Sequence, residues 1–383
     1  MNAPLNTNFN ATVSALNWAN PARGIAFSSW LSGISGPHQL NIHTVRLASA
    51  DASFRRYFRV DALAGCQSGA HSFIIMDAPP EQEDCTPFVH VAALMADAGL
   101  EAPRVLAWDV PAGFMLLTDL GAQTIMDVIS PPTALVAMTQ PTALHSDLYM
   151  QAVDALVHWQ LASKPGVLPP YDDALLSREL ALFPEWYVAK HRGIALHADH
   201  QRTLDEAFTQ IKVSNLQALQ GARVYVHRDF MPRNLMVANS GITERGAEAS
   251  VIGVLDFQDA VYGPITYDIA SLMRDAFLTW EEDFVLDVTV RYWQKARKAG
   301  LPVGDDFGEF YRAVEWMGLQ RHLKILGIFA RLTLRDGKPK YLADTPRFIN
   351  YARSTCARYR QLGPLMVLLD EIEGNETRIG YTF

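Results

Sequence analysis

The feature that most constrains the fold is a change of texture along the chain. From residue 40 to about 119 it runs through five short segments: LNIHTVRL (40–47), FRRYFRV (54–60), SFIIMDA (72–78), RVLAWDV (104–110) and GFMLLTDL (113–120). All are rich in the β-branched and aromatic residues that fit a pleated, half-buried surface. One helical stretch, 85–98, interrupts them. Three strands, a helix and two more strands suit a small antiparallel sheet with one packed helix. After Leu120-Gly121 the periodicity becomes helical, over 147–163, 174–191, 199–219, 266–279, 282–299, 306–332 and 345–370. Two short apolar runs, 224–226 and 251–257, predict a small strand pair within that helical part, and 131–146 reads as a loop. Before the sheet, 24–36 predicts a helix ended by Gly33 or Gly36, and 1–23 has weak periodicity. The class is α+β, with two units at 1–120 and 121–383, which suits a chain of 383 residues.

Composition narrows the function. The net charge is -8 and no run of Lys or Arg forms a basic patch, so neither nucleic acid nor an anionic membrane surface is an expected partner. Hydrophobic residues make up 49% of the chain, yet no apolar run approaches the roughly 18–20 residues needed to span a bilayer. Cys66, Cys85 and Cys356 are scattered and odd in number, which suggests neither a disulfide framework nor a zinc site. The N-terminal residues have no basic start followed by an apolar core. A cytoplasmic location is the expectation.

The chemistry is concentrated in Val226-His227-Arg228-Asp229-Phe230-Met231-Pro232-Arg233-Asn234. It follows an apolar strand and fits the H-R-D-x-x-x-x-N pattern of kinase catalytic loops. An Asp at the start of such a loop can take the proton of an attacking hydroxyl. An Asn five positions on can turn its amide oxygen to a metal. Asp256, in Val254-Leu255-Asp256-Phe257, also follows an apolar run, 22 positions beyond Asn234, with GITERGAEAS between them as a turn. Hard cations such as Mg²⁺ take oxygen ligands of this kind alongside ATP phosphates. The competing reading is that Asp and Asn merely cap turns.

These residues bring the chain close to a known family. It resembles the aminoglycoside phosphotransferase/choline kinase superfamily, and within it the bacterial anomeric kinases of N-acetylmuramate and N-acetylglucosamine that serve peptidoglycan recycling. The stretches that carry the resemblance are ASFRRYFRV (52–60), FIIMDAPPEQED (73–84), FMLLTDLG (114–121), HRDFMPRNLM (227–236), VLDFQDAVYGPITYDIASLMRDAF (254–277) and LQRHLKILGIFARL (319–332). The resemblance implies a bilobal protein-kinase-like fold, with a small antiparallel-sheet N-lobe and a mostly helical C-lobe. It implies Asp229 as base, Asn234 and Asp256 as Mg²⁺ ligands, and ATP between the lobes with its adenine near Leu117, Thr118 and Leu120. It also implies that the sugar 1-hydroxyl is the acceptor, and that Asp268 braces the catalytic loop.

The chain departs from the pattern twice. The nucleotide loop, Ala50 to Arg56, has no glycine, so Ser53 and nearby amides would have to meet phosphate. The third strand, Phe73-Ile74-Ile75-Met76-Asp77, has no lysine, so Arg55, Arg56 or Arg59 would have to supply the charge, unless these are solvated edge charges. On the acceptor side, Asp259 can bind a second metal or a sugar hydroxyl, or satisfy turn amides. Arg228 can meet a phosphate or an acidic loop, or pair locally. His227 reads as a structural peg. Arg321 and Lys324 form a cationic stripe that can meet a lactyl carboxylate or lie solvated, with His322 on a neighbouring stripe. Trp280 and Trp316 fit either a sugar face or the core. Two other functions stay open: a kinase of the same fold for an aminoglycoside, choline or homoserine-like acceptor, and a nucleotide-binding scaffold without activity.

Overall fold

The computed structural model describes residues 16–50, 54–129, 141–237 and 252–374. The chain forms two compact units, each built from two stretches of sequence. The first takes residues 1–123 and 236–259, and the second takes 124–235 and 260–383. The division expected at residue 120 thus falls at Gln123, and a later segment, Met236–Asp259, joins the first unit.

In the first unit, α1 (Pro21–Ser35) precedes β1 (Leu40–Ala50), β2 (Arg56–Ala62) and β3 (Ser72–Asp77), then α2 (Thr86–Asp97), β4 (Val105–Asp109) and β5 (Phe114–Thr118). The five strands form one antiparallel sheet in the order β1-β2-β3-β5-β4. Strand alternation decides which side chains go inside. Phe58 and Val60 of β2, Phe73 and Ile75 of β3, and Phe114 and Leu116 of β5 share a core with Phe27 and Leu31 of α1. Each such large side chain, once buried, contributes about 1.5–3 kcal/mol. Arg59, between Phe58 and Val60, therefore leaves the core face. The later segment supplies β8 (Ile252–Val254), which pairs with β7 (Leu235–Val237). Gly253 lets β8 approach closely: a Cβ there would meet the Leu120 side chain at 2.9 Å.

The second unit contains α3 (Ile125–Ile129), α4 (Ala143–Leu161), α5 (Asp173–Leu182), α6 (Ala198–Gly221), α7 (Thr266–Met273), α8 (Glu282–Lys298), α9 (Phe307–Leu334), α10 (Thr345–Arg358) and α11 (Gly363–Glu373). Its strands β6 (Arg223–Val226) and β9 (Val261–Pro264) pair antiparallel. The run at 224–226 thus pairs with β9 and not with 251–257, and β7 and β9 had no counterpart among the expected strands. The helix expected over 345–370 is two helices, because Pro364, at the first turn of α11, suits a helix start and not an interior. The stretch expected as one helix over 174–191 changes to a π-helix at Phe183–His191, just where Pro184 removes a backbone donor. The expected turn at 241–250 lies outside the described residues, as does most of the expected loop. Thr142, near the end of that loop, instead caps α4.

Candidate functional site

The catalytic-loop motif begins where β6 ends, and its main chain is held from several sides within the second unit. The Asp268 carboxylate accepts the amide of His227 at 2.7 Å and that of Arg228 at 3.0 Å. Asp268 lies at the start of α7 and is fully buried, so it braces the loop from below as the resemblance implies. Burial raises its pKa, and His227 and Arg321 oppose that rise. The amide of Asp229 donates to Nδ1 of the buried His227 at 3.2 Å, which gives that imidazole the peg role. Arg228 stands at φ 78°, a left-handed conformation costly for a long side chain, about 1–2 kcal/mol. Its carbonyl accepts from Arg321 Nη1 at 2.7 Å, so both main-chain groups of the strained residue are held.

Pro232 starts a short 3-10 turn that ends at Asn234. Asn234 is buried, and its Nδ2 donates to the Asp229 carbonyl at 2.9 Å. With the nitrogen so engaged, Oδ1 is the atom this amide has for a cation. Asn234 and the Asp229 backbone are thereby locked to one another.

Beneath the loop lies a carboxylate that sequence reading missed. Glu179 of α5 is 5% exposed and accepts from four side chains: Arg228 Nη2 at 2.6 Å, Lys324 Nζ at 2.8 Å, Tyr171 Oη at 2.7 Å and Gln320 Nε2 at 2.9 Å. Burial disfavours its charged form, but Lys324 and Arg228 outweigh burial and hold its pKa at about 2. Burial likewise disfavours the Lys324 ammonium, and Glu179, with Tyr267 and Asp229, more than restores it. Nothing in the run Ser177-Arg178-Glu179-Leu180 separates Glu179 from an ordinary helix-surface acid.

This network corrects the reading of the 319–332 helix. Arg321 and Lys324 are neither a solvated face nor a stripe open to a ligand. Both are buried, and each spends its charge inside the protein, Arg321 on the Arg228 carbonyl and over the Tyr267 ring at 4.8 Å, Lys324 on Glu179. His322 is buried with its ring stacked on Tyr351 at 4.9 Å, and burial, then Arg274 and Arg321, push its pKa well below the usual value. Arg228 resolves to the local ion pair. Trp280 and Trp316 both belong to the core, and the indole nitrogen of Trp280 donates to Tyr149 Oη at 2.7 Å.

The remaining candidates lie in the first unit. Asp256 follows β8 and is exposed at φ 63°, in the left-handed region like Arg228. Its strand is fixed by the Val254 amide donating to the Glu101 carbonyl at 2.7 Å, and Gln258 donates to Asp256 Oδ1 at 3.0 Å. Phe257 turns inward and stacks on Phe88 of α2 at 4.9 Å. Asp259 is exposed. Asn234 in the second unit and Asp256 in the first each carry the kind of hard oxygen donor that Mg²⁺ prefers. Among the described residues no three of His, Cys, Asp or Glu are grouped so as to hold a metal ion.

Each arginine near the nucleotide loop has a partner in the same unit. Arg55 is buried and pairs with Glu83 at 3.1 Å, just ahead of α2. Arg56 lies over the rings of Trp18 and Phe58. Arg59 grips Asp119 at 2.6 Å and donates to the Gly121 carbonyl at 2.6 Å. Asp77 is buried against Arg23 at 2.5 Å, and burial raises its pKa despite that partner. Leu117 is buried in β5, Thr118 Oγ1 accepts the Arg104 amide at 2.9 Å, and Leu120 packs against Gly253. Ser53 lies outside the described residues.

Residues 44–306 match the phosphotransferase enzyme family designated APH. The chain is 48% identical over 322 residues to the N-acetylmuramate/N-acetylglucosamine kinase of Pseudomonas aeruginosa, covering 84% of this chain and 86% of that one. It is 46% identical over 362 residues to the protein of the same name from Neisseria meningitidis, covering 94% and 99%. Among solved structures, Plasmodium vivax ethanolamine kinase superposes with a TM-score of 0.57 at 10% identity, over 92% of this chain and 94% of that one, a likeness of fold alone. No helix among the described residues is long and apolar enough to cross a membrane. With its catalytic-loop pattern, its protein-kinase-like α+β architecture and these relatives, the chain belongs to the phosphotransferase enzyme family and is a small-molecule kinase.

Proposed function

We propose that this kinase uses ATP and Mg²⁺ to phosphorylate the anomeric 1-hydroxyl of N-acetylmuramate and N-acetylglucosamine, giving sugar 1-phosphates. The observation that carries the acceptor is the 46% identity, over 94% of this chain and 99% of its length, to a kinase named for those two sugars. In this reading Asp229 takes the proton of the 1-hydroxyl as that oxygen bonds to the γ-phosphorus, and the bond to the β-phosphate oxygen breaks to release ADP. Asn234 and Asp256 would hold Mg²⁺, which supplies neutralisation of phosphate charge. Most of the remaining work is positioning, and the bracing of the loop by Asp268, His227 and Arg321 supports it. Leu117, Thr118 and Leu120 would meet adenine, Ser53, Arg55 and Arg56 would serve the phosphate side, and Asp77 would complete the nucleotide-binding set. Asp259 would meet the sugar. A need for ATP fits a cytoplasmic location, as do the three unpaired cysteines.

A coupled ADP-release assay with Mg²⁺-ATP and a panel of acceptors tests this. Turnover is expected with both sugars and none with their 1-O-methyl glycosides. Equal turnover of the methyl glycosides would place the transfer on another hydroxyl. Turnover confined to choline, homoserine or an aminoglycoside would overturn the acceptor. Asp229→Asn should lose several orders of magnitude in kcat and still bind ATP, and near-normal turnover would remove Asp229 as base.

A further inference from the structure

We propose that Glu179 is a positioning residue of the catalytic loop, which through Arg228 and Lys324 holds the Asp229 carboxylate clear of neighbouring cations and aimed at the acceptor. The inference rests on the reading of Asp229 as base.

Its first support is where Glu179 sits. Gln320, Lys324 and Gly327 lie at spacings of four and three on α9, and so share one stripe. Gln320 and Lys324 both donate to Glu179, while the bare Cα of Gly327 lies against Leu182, one turn further along α5. The carboxylate is therefore wedged at a helix crossing so close that a Cβ on Gly327 would lie 2.4 Å from the Leu182 backbone. Tyr171 adds a fourth donor from the segment ahead of α5. A carboxylate fixed by four donors from separate parts of the unit is a rigid anchor, and it offers that rigidity to Arg228.

The second support is the geometry of Arg228. Its amide, carbonyl and guanidinium are bound to Asp268, Arg321 and Glu179 respectively, in a left-handed conformation that would otherwise relax. Asp229 is the next residue, so its Cα–Cβ direction is inherited from that conformation.

The third is charge. Arg228, Arg321 and Lys324 are all within the field of the Asp229 carboxylate. Against these three cations stand Glu179, Asp268 and Asp229. Without Glu179, Arg228 and Lys324 lose their carboxylate partner, and the carboxylate whose field both still feel is that of the base. An ion pair there would draw Asp229 away from a sugar hydroxyl without touching either binding site.

The test is kinetic, run at a temperature where every variant is folded. In Glu179→Gln, kcat should fall roughly 100-fold, while KM for ATP and for sugar stays within about three-fold. Its melting temperature should fall as well, so a second variant separates the two effects. Glu179→Gln with Lys324→Met restores neutrality beneath the loop and should recover most of the melting temperature, yet leave kcat at least about ten-fold low because Arg228 still lacks its anchor. If the single variant does not fold, the double variant carries the test. Either variant within about three-fold of the parent kcat, or a kcat that recovers together with stability, overturns the proposal. Asp229→Asn is run alongside. If it keeps near-normal turnover, the base assignment fails; if it is inactive while Glu179→Gln is normal, only the positioning role fails.

Discussion

Gly327→Ala sets two physical effects against each other with opposite signs. Position 327 is in the interior of the 28-residue α9. Helix propensity alone favours alanine there by about 1 kcal/mol, so a local argument predicts a more stable protein. The tertiary structure predicts the reverse. The new Cβ would stand 2.4 Å from both the carbonyl carbon and oxygen of Leu182 and 2.6 Å from its Cβ. None of these atoms is the tip of a flexible side chain. Reaching an ordinary contact requires α9 and α5 to part by about 1 Å, and overpacking of this kind costs about 1–3 kcal/mol. The same parting stretches the Glu179–Lys324 and Glu179–Gln320 hydrogen bonds, now 2.8 and 2.9 Å. Bonds to charged groups are worth about 1.5–3 kcal/mol each, and part of that is lost. After the propensity gain, the net loss is about 2–4 kcal/mol. For a unit of this size that lowers the melting temperature by roughly 5–15 °C. Thermal unfolding followed by circular dichroism reads it directly. A melting temperature equal to or above the parent's would refute the claim that the crossing is closed to a methyl group.

Two further outcomes follow from the same structure. Of the Ala variants at Arg55, Arg56 and Arg59, at least one should raise KM for ATP, with Arg55→Ala the leading candidate because its Glu83 partner lies just ahead of α2; an unchanged KM in all three would dispose of an arginine substitute for the missing strand-three lysine. Glu179 has a folded pKa of about 2 against an ordinary 4.5, so its stabilisation is full above pH 4.5 and is lost as pH falls towards 2. The difference is worth about 3 kcal/mol. The parent's melting temperature should therefore drop steeply over that range, and Glu179→Gln should flatten the drop; parallel curves for the two proteins would contradict it.

Much of the architecture is legible before any coordinates. The β-branched segments of 40–120 become five strands and 85–98 becomes α2, because alternation and turn residues are local signals. The proposed set Asp229, Asn234 and Asp256 is read from sequence because kinase chemistry calls for such residue types at set distances along the chain. The cationic stripe at Arg321 and Lys324 misleads, because periodicity tells which side chains share a helix face but not what that face meets. A stripe of charge reads as surface until a buried carboxylate 142 positions before Arg321 turns out to lie beneath it.

The sequence by itself determined the kinds of element, their order and the motif that marks the reaction, since these depend on neighbours a few residues away. Only the tertiary structure decided that β6 takes β9 as its partner, that Met236–Asp259 returns to the sheet-bearing unit, and that Glu179 meets Arg228 and Lys324. Such pairings join residues tens to hundreds of positions apart. Their free energy exists only once topology has brought those residues together, so no local pattern can announce them.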